Sequence, residues 1–123
     1  MEKSLRALRG ATTVGEDTPE SIAAATRELL TELAARNGFE ASDIVSAIFT
    51  VTPDLRSDFP ARAARSLGWE DVSLLCTTEI PVPHALARCI RVLLYVETRR
   101  PRAELKHVYL RGARALRPDL LTD

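Results

Sequence analysis

The sequence predicts an α+β fold in which one mixed β-sheet carries helices on one face. Three observations predict it. One segment has helix signals at both ends and an apolar stripe at helical spacing. Four or five short apolar runs are separated by stretches rich in Pro, Gly and charged residues, as strands are. Their order, β-α-β-α-β-β-β with a single long helix, fits a sheet layered with helices.

The elements follow in chain order. Residues 5–14 (LRALRGATTV) read as the first strand, with Gly10 marking a point where another element can approach the backbone closely. The segment DTPESIAAATRELLTELAARNG is a helix. Thr18 caps it, Pro19 suits its first turn, Glu20 favours its positive end, and Asn37-Gly38 ends it. Ile22, Ala25, Leu29, Leu30 and Leu33 form its apolar stripe. SDIVSAIFTVT (42–52) is a second strand, stopped by Pro53. A loop and a short helix follow in DLRSDFPARAARSLGW, with Pro60 at the helix start and Gly68 at its end. DVSLLC (71–76) is a third strand, and EIPVPHALAR a loop with room for one helical turn. CIRVLLYVET (89–98) is a fourth strand, RRPRAEL a polar connection, KHVYL (106–110) a fifth strand, and GARALRPDLLTD a helical turn and tail. The helices offer limited cover, while Ile48-Phe49, Leu74-Leu75 and Leu93-Leu94 place apolar groups on both faces of their strands. The uncovered sheet face is therefore expected to pack on another subunit.

Bulk properties narrow the function. A chain of 123 residues is enough for one domain, 1–123, with a real core. Lys+Arg and Asp+Glu are both 17, so no net field favours nucleic acid or an anionic membrane. No apolar run approaches the length of a membrane span, and MEKSLRALRG lacks a secretory core. Cys76 and Cys89 form no CxxC, so a reducing cytoplasm with free thiols is expected. His84 and His107 have no zinc-type spacing, and neither a glycine-rich phosphate loop nor GxSxG is present, so no metal or cofactor is expected.

The candidate chemistry rests on charged groups in apolar surroundings. Arg91 interrupts CIRVLLYV. A guanidinium cannot shed its charge, so it needs an anion, either a protein carboxylate such as Glu79 or Glu97, or a ligand. Alternation puts Cys89, Arg91, Leu93 and Tyr95 on one face and Ile90, Val92 and Leu94 on the other. Arg9 lies near the end of the first strand. Arg62 and Arg65 share a helix face, and Phe59 just precedes that helix. Cys76 ends a strand and Glu79 stands in the loop after it. Tyr109 and Arg117 lie near the C-terminus. The set holds several arginines, one carboxylate and one tyrosine, but no nucleophile paired with a histidine base. It suits an anionic, polycarboxylate ligand and chemistry driven by position and fixed charge.

In this order and spacing the motifs resemble the monofunctional, AroH-type chorismate mutases. They are RGATTV (9–14), TPDL (52–55), FPA (59–61), GW (68–69), Cys76 with Glu79, CIRV (89–92), HVYL (107–110) and LRPDL (116–120). The resemblance implies a cytoplasmic homotrimer whose sheets pack as a pseudo-α/β barrel, with active sites between subunits. It implies the cofactor-free Claisen rearrangement of chorismate to prephenate, in phenylalanine and tyrosine biosynthesis. By the same resemblance Arg91 contacts the ether oxygen of the breaking bond, and Arg9 and Tyr109 hold a carboxylate. Glu79 and the backbone near Cys76 meet the ring hydroxyl, and Arg65 and Arg117 stand at the cleft mouth. Phe59, Ala61, Leu74 and Leu116 form the apolar wall. Arg62 stands where a relative has lysine, which keeps the charge but not the geometry. Glu79 is expected across the substrate from Arg91, not bonded to it. Alternatives to this reading are a non-catalytic trimer that binds small carboxylates, a thiol hydrolase using Cys76, and a purely structural subunit.

Overall fold

The computed structural model describes residues 2–120. Its strands and helices come in the predicted order: β1 (Ser4–Thr13), α1 (Pro19–Asn37), β2 (Ile44–Val51), α2 (Pro60–Ser66), β3 (Ser73–Thr78), β4 (Cys89–Thr98) and β5 (Val108–Tyr109). The sheet order is β3-β2-β4-β1-β5. β4 pairs antiparallel with β1 and β2, whereas β2–β3 and β1–β5 are parallel, so the sheet is mixed as expected.

Several boundaries differ from the sequence reading, each for a local reason. β2 starts at Ile44 because residues 41–43 form a 3₁₀ turn, in which the Glu40 amide donates to Asp43 Oδ2 at 2.9 Å. β3 is shifted toward the C-terminus because the Val72 amide is used in a turn to Trp69 O. Cys76 is thus inside β3, not at its end. The loop 79–88 makes no helical turn. Pro81 and Pro83 have no amide donors, and the chain closes short turns from Val82 to Ile80 O and from Ala85 to Val82 O. β5 has two residues because the His107 side chain, not its backbone, meets β1 next. The C-terminal helical turn is 3₁₀ at Arg111–Ala115 and Pro118–Leu120. Residues 121–123 of the tail lie outside the described residues.

The helix signals act as read. Thr18 Oγ1 accepts from the Ser21 amide at 3.1 Å, and Gly38, at φ 66°, donates its amide to Ala34 O. The helices cover one sheet face. Leu8, Phe49, Val92, Leu94 and Val96 are buried there with Leu29, Leu30 and Leu33 of α1 and Ala61 and Ala64 of α2. Gly10 is where α1 meets the sheet most closely. A Cβ there would lie 2.8 Å from Leu33 Cδ1 and 3.1 Å from Leu29 Cδ1.

Two polar clamps fix the loops that frame the other face. The buried Asn37 side chain donates to Leu33 O and Lys106 O and accepts from the Lys106 amide. It therefore ties the approach to β5 onto the end of α1. In TPDL, Thr52 Oγ1 accepts from the Cys89 amide and donates to Asp54, whose other oxygen accepts from the Arg88 amide. Burial pushes the Asp54 carboxyl up, but the hydrogen bonds from Thr52 and the Arg88 amide outweigh it and hold the group below its usual value. This motif is a structural clamp at the start of β4. Its Leu55 joins Val14, Ile22 and Ile90 in a small separate core.

Candidate active site

Strand register builds the site. Thr77, Thr50, Arg91, Ala11 and Tyr109 are successive cross-strand partners, so they form one row across all five strands, on the face away from the helices. Two residues along, Leu75, Ile48, Leu93 and Arg9 form a parallel row. Arg91 and Tyr109 stand two strands apart, about 10 Å at ordinary strand spacing. The small side chain of Ala11 lies between them. Thr50, Arg91, Ala11 and Tyr109 of the first row and Ile48, Leu93 and Arg9 of the second, with Glu79, Leu116 and Arg117, line a cavity of about 410 Å³.

Arg91 has a protein anion. Its Nε lies 3.2 Å from Glu79 Oε1, which corrects the expectation that the two would not be bonded. The reason is geometric. The Glu79 amide donates to Val51 O at the end of β2, and Thr50 of β2 is the direct partner of Arg91, so the carboxylate falls within reach. Thr50 Oγ1 also donates to Glu79 Oε1. The pair is not a buried one, since the Arg91 and Glu79 side chains are 45% and 22% exposed. Ion pairs this exposed contribute about 0–1 kcal/mol to stability. Arg91 is therefore a poor investment as a structural element.

The other site residues are held by separate devices. The Arg9 amide donates to His107 Nδ1 at 2.9 Å, which fixes β1 against the segment leading to Tyr109. Burial, then the positive charges of Arg9 and Arg117, hold the His107 pKa below its ordinary value. The neutral ring, with Nδ1 as acceptor, is the form this contact needs. Tyr109 is buried, more deeply than the half-buried strand residue expected, in a cluster with Ala11, Cys89 and Ala113. Leu116 packs on that cluster. The turn bearing Leu116 and Arg117 begins at Arg111, a non-glycine residue at φ 52°. The Arg111 guanidinium makes a two-pronged ion pair with Glu28 of α1, and the Gly112 amide donates to Thr13 Oγ1. Arg117 itself pairs with Asp119 at 2.9 Å.

The remaining predicted residues lie elsewhere in the chain. Phe59, Arg62 and Cys76 line a second cleft, of about 370 Å³, at the β3 edge beside α2. Phe59 is 63% exposed there. Arg62 is paired with Asp58 at 3.2 Å. Ala61 is buried in the main core and Leu74, partly buried, packs against it; neither is among the residues lining these two cavities. Arg65 is an exposed residue of α2. No histidine is among the residues lining the Cys76 cleft. Burial raises the pKa of the other thiol, Cys89.

The chain matches the chorismate mutase type I family over residues 5–120. The chain belongs to the type I chorismate mutases. It is 52% identical over 117 residues to the chorismate mutase AroH of Thermus thermophilus, covering 94% of this chain and 96% of that one. It is 43% identical over 117 residues to the chorismate mutase AroH of Bacillus subtilis, covering 94% and 92%. The solved chorismate mutase of Clostridium thermocellum superposes with a TM-score of 0.88 at 51% identity, over 89% of this chain and 98% of that one. The activity is accordingly the family's isomerase reaction, chorismate to prephenate, and not the non-catalytic binding or thiol hydrolysis considered as alternatives. Among the described residues no helix is long and apolar enough to cross a membrane.

Against this chorismate mutase fold, sequence reasoning missed two residues around the cavity. Thr50 touches Glu79, and His107 holds the Arg9 backbone. Alternation in IFTVT could have placed Thr50 beside Ile48 on the open face. The two-residue spacing of His107 and Tyr109 carried a similar signal.

Proposed function

We propose that the open-face cavity is the catalytic half of each chorismate site, and that a neighbouring subunit's β3-edge cleft supplies the rest. The observation that carries this reading is the register. It gathers Arg91, Glu79, Arg9 and Tyr109 around one cavity on a sheet face that the helices leave bare. Two further features support a homotrimer in which the sheets close into a pseudo-α/β barrel. Leu5 and Leu75 of that face are 57% and 61% exposed in the single chain, and Ile48, Leu93 and Tyr95 are only partly covered. Phe59, Arg62 and Cys76 lie at the sheet edge, where they face outward from their own chain's cavity. The free thiols of Cys76 and Cys89 support a reducing cytoplasm.

The reaction is unimolecular, so the site has to select a conformer and stabilise developing charge. Chorismate's two carboxylates are handles for Arg9, Tyr109 and Arg117, with Leu116 against the ring. As the C–O bond breaks ahead of C–C formation, negative charge grows on the ether oxygen and positive charge on the ring. The Arg91 guanidinium, fixed in β4, binds that oxygen better in the transition state than in the substrate. Glu79 accepts from the ring hydroxyl and favours the cationic ring. A rate gain of roughly 10⁶ requires about 8 kcal/mol. A preorganised donor contributes about 2.7–4 kcal/mol, so Arg91 is the largest single contributor without being the whole. Phe59, Ala61, Arg62, Arg65, Leu74 and Cys76 act from the neighbouring subunit as wall and mouth. Of these, Ala61 and Leu74 act through the backbone they pack.

The test is a split between kinetic constants. Arg91→Ala is expected to lower kcat, and Arg9→Ala to raise KM about tenfold with a smaller change in kcat, because Arg9 binds substrate and transition state alike. The assignment fails if both variants change the same constant by the same factor.

A further inference from the structure

The Arg91–Glu79 pair has a third member that none of the family comparisons assigns. Thr50 sits on β2 in the same cross-strand row as Arg91. Its hydroxyl donates to Glu79 Oε1, the oxygen that also meets Arg91 Nε. Glu79 heads the 79–88 loop, and its backbone is anchored by the hydrogen bond its amide donates to Val51 O. Its side chain is thus oriented by Thr50 and by Arg91. An ion pair this exposed holds its partners weakly, whereas a hydroxyl on a central strand is a fixed donor.

Replacing Thr50 by valine removes that hydroxyl and little else. Valine has nearly the same shape and suits a strand equally well. What the hydroxyl does is fill Oε1. Thr50 Oγ1 and Arg91 Nε both meet that oxygen, which leaves Oε2 as the carboxylate oxygen to turn toward a ligand. We propose that Thr50 is a positioning residue for the rearrangement: it locks the Glu79 carboxylate so that Oε2 meets the substrate's ring hydroxyl while Arg91 stays aimed at the breaking bond. This rests on the reading of Glu79 as catalytic.

The experiment is a kinetic cycle on the full chain with chorismate. Thr50→Val is expected to lower kcat about tenfold, the lower end for a hydrogen bond to a charged group, with KM changed less than about threefold. Thr50→Ser, which keeps the hydroxyl, is expected to restore kcat to within about threefold. In a Glu79→Ala background Thr50→Val is expected to change kcat less than about twofold, since the group it positions is gone. Wild-type kcat in Thr50→Val, with Glu79→Ala impaired, overturns the positioning role and leaves the catalytic reading intact. A loss that Ser does not restore, or that persists in the Glu79→Ala background, is an effect on the fold and overturns it too. Full activity of Glu79→Ala overturns the underlying reading instead.

Discussion

The two faces of β4 make opposite use of one strand. On one face Ile90, Val92, Leu94 and Val96 are buried under the helices. On the other, Arg91, Leu93 and Tyr95 stay partly or largely exposed in the single chain. The first face is stabilised by burial, which acts at all its positions at once. The second puts a fixed charge where burial alone would forbid it, and its ion pair adds almost nothing to stability. The comparison teaches that stability and activity are separable here by residue parity. Changes on the helix face should cost stability and spare chemistry, and changes on the open face should do the reverse.

The largest test of that division on the helix face is Leu94→Ala. It should cost about 2–5 kcal/mol of stability, read by denaturant unfolding, while the folded fraction keeps near wild-type kcat. Asn37→Leu comes next. It frees the Lys106 amide and carbonyl and loosens the approach to β5, so it should cost about 1–3 kcal/mol and raise KM through Tyr109. On the open face, Leu75→Glu should leave the protomer's fold intact but dissociate the proposed trimer, read by sedimentation. Activity should fall as trimer is lost.

A smaller effect comes from His107. Its pKa is lowered in the folded chain from an ordinary value of 6.5, so the unfolded state binds the proton more readily. Stability is then complete above about 6.5 and is lost as pH falls toward the lower folded value. Melting temperature should drop on acidification through that window, and His107→Asn, which keeps an acceptor near Nδ1 without titrating, should flatten the drop. The carboxylates of Asp43 and Asp54 are also lowered, but from 3.8, so their contribution is lost only in more acidic solution. The smallest expected change is Arg65→Ala, an exposed group at the cleft mouth. It should raise KM by no more than about threefold.

Much of this division was legible in the sequence because it rests on local and periodic signals. The Thr18 cap, Pro19 and Gly38 delimit α1 by backbone chemistry that needs no tertiary contact. Period-two alternation separated Arg91 from Val92, and Gly10 marked the close approach of α1. Three things were not legible. The bond between Arg91 and Glu79 depends on the register of β2 against β4, and register is a tertiary property. TPDL was legible only as a motif of the resemblance, because the bonds of its Thr52 and Asp54 to the Cys89 and Arg88 amides join segments far apart in the chain. Ala61 and Leu74 were placed in a wall by their position in motifs, which could not show that Ala61 is buried in its own chain's core with Leu74, partly buried, packed against it. Pattern reports which face a residue occupies, and not which neighbour meets it there.

The central claim is that the open face carries chemistry and little stability, with Arg91 at its centre. The most direct measurement is chorismate turnover of Arg91→Ala, taken together with its unfolding midpoint and its assembly state. The account predicts a fall in kcat of about 10²–10³, the range for one preorganised donor, with stability within about 1 kcal/mol of wild type and the proposed trimer intact. A fall of less than about tenfold in an intact trimer would contradict it.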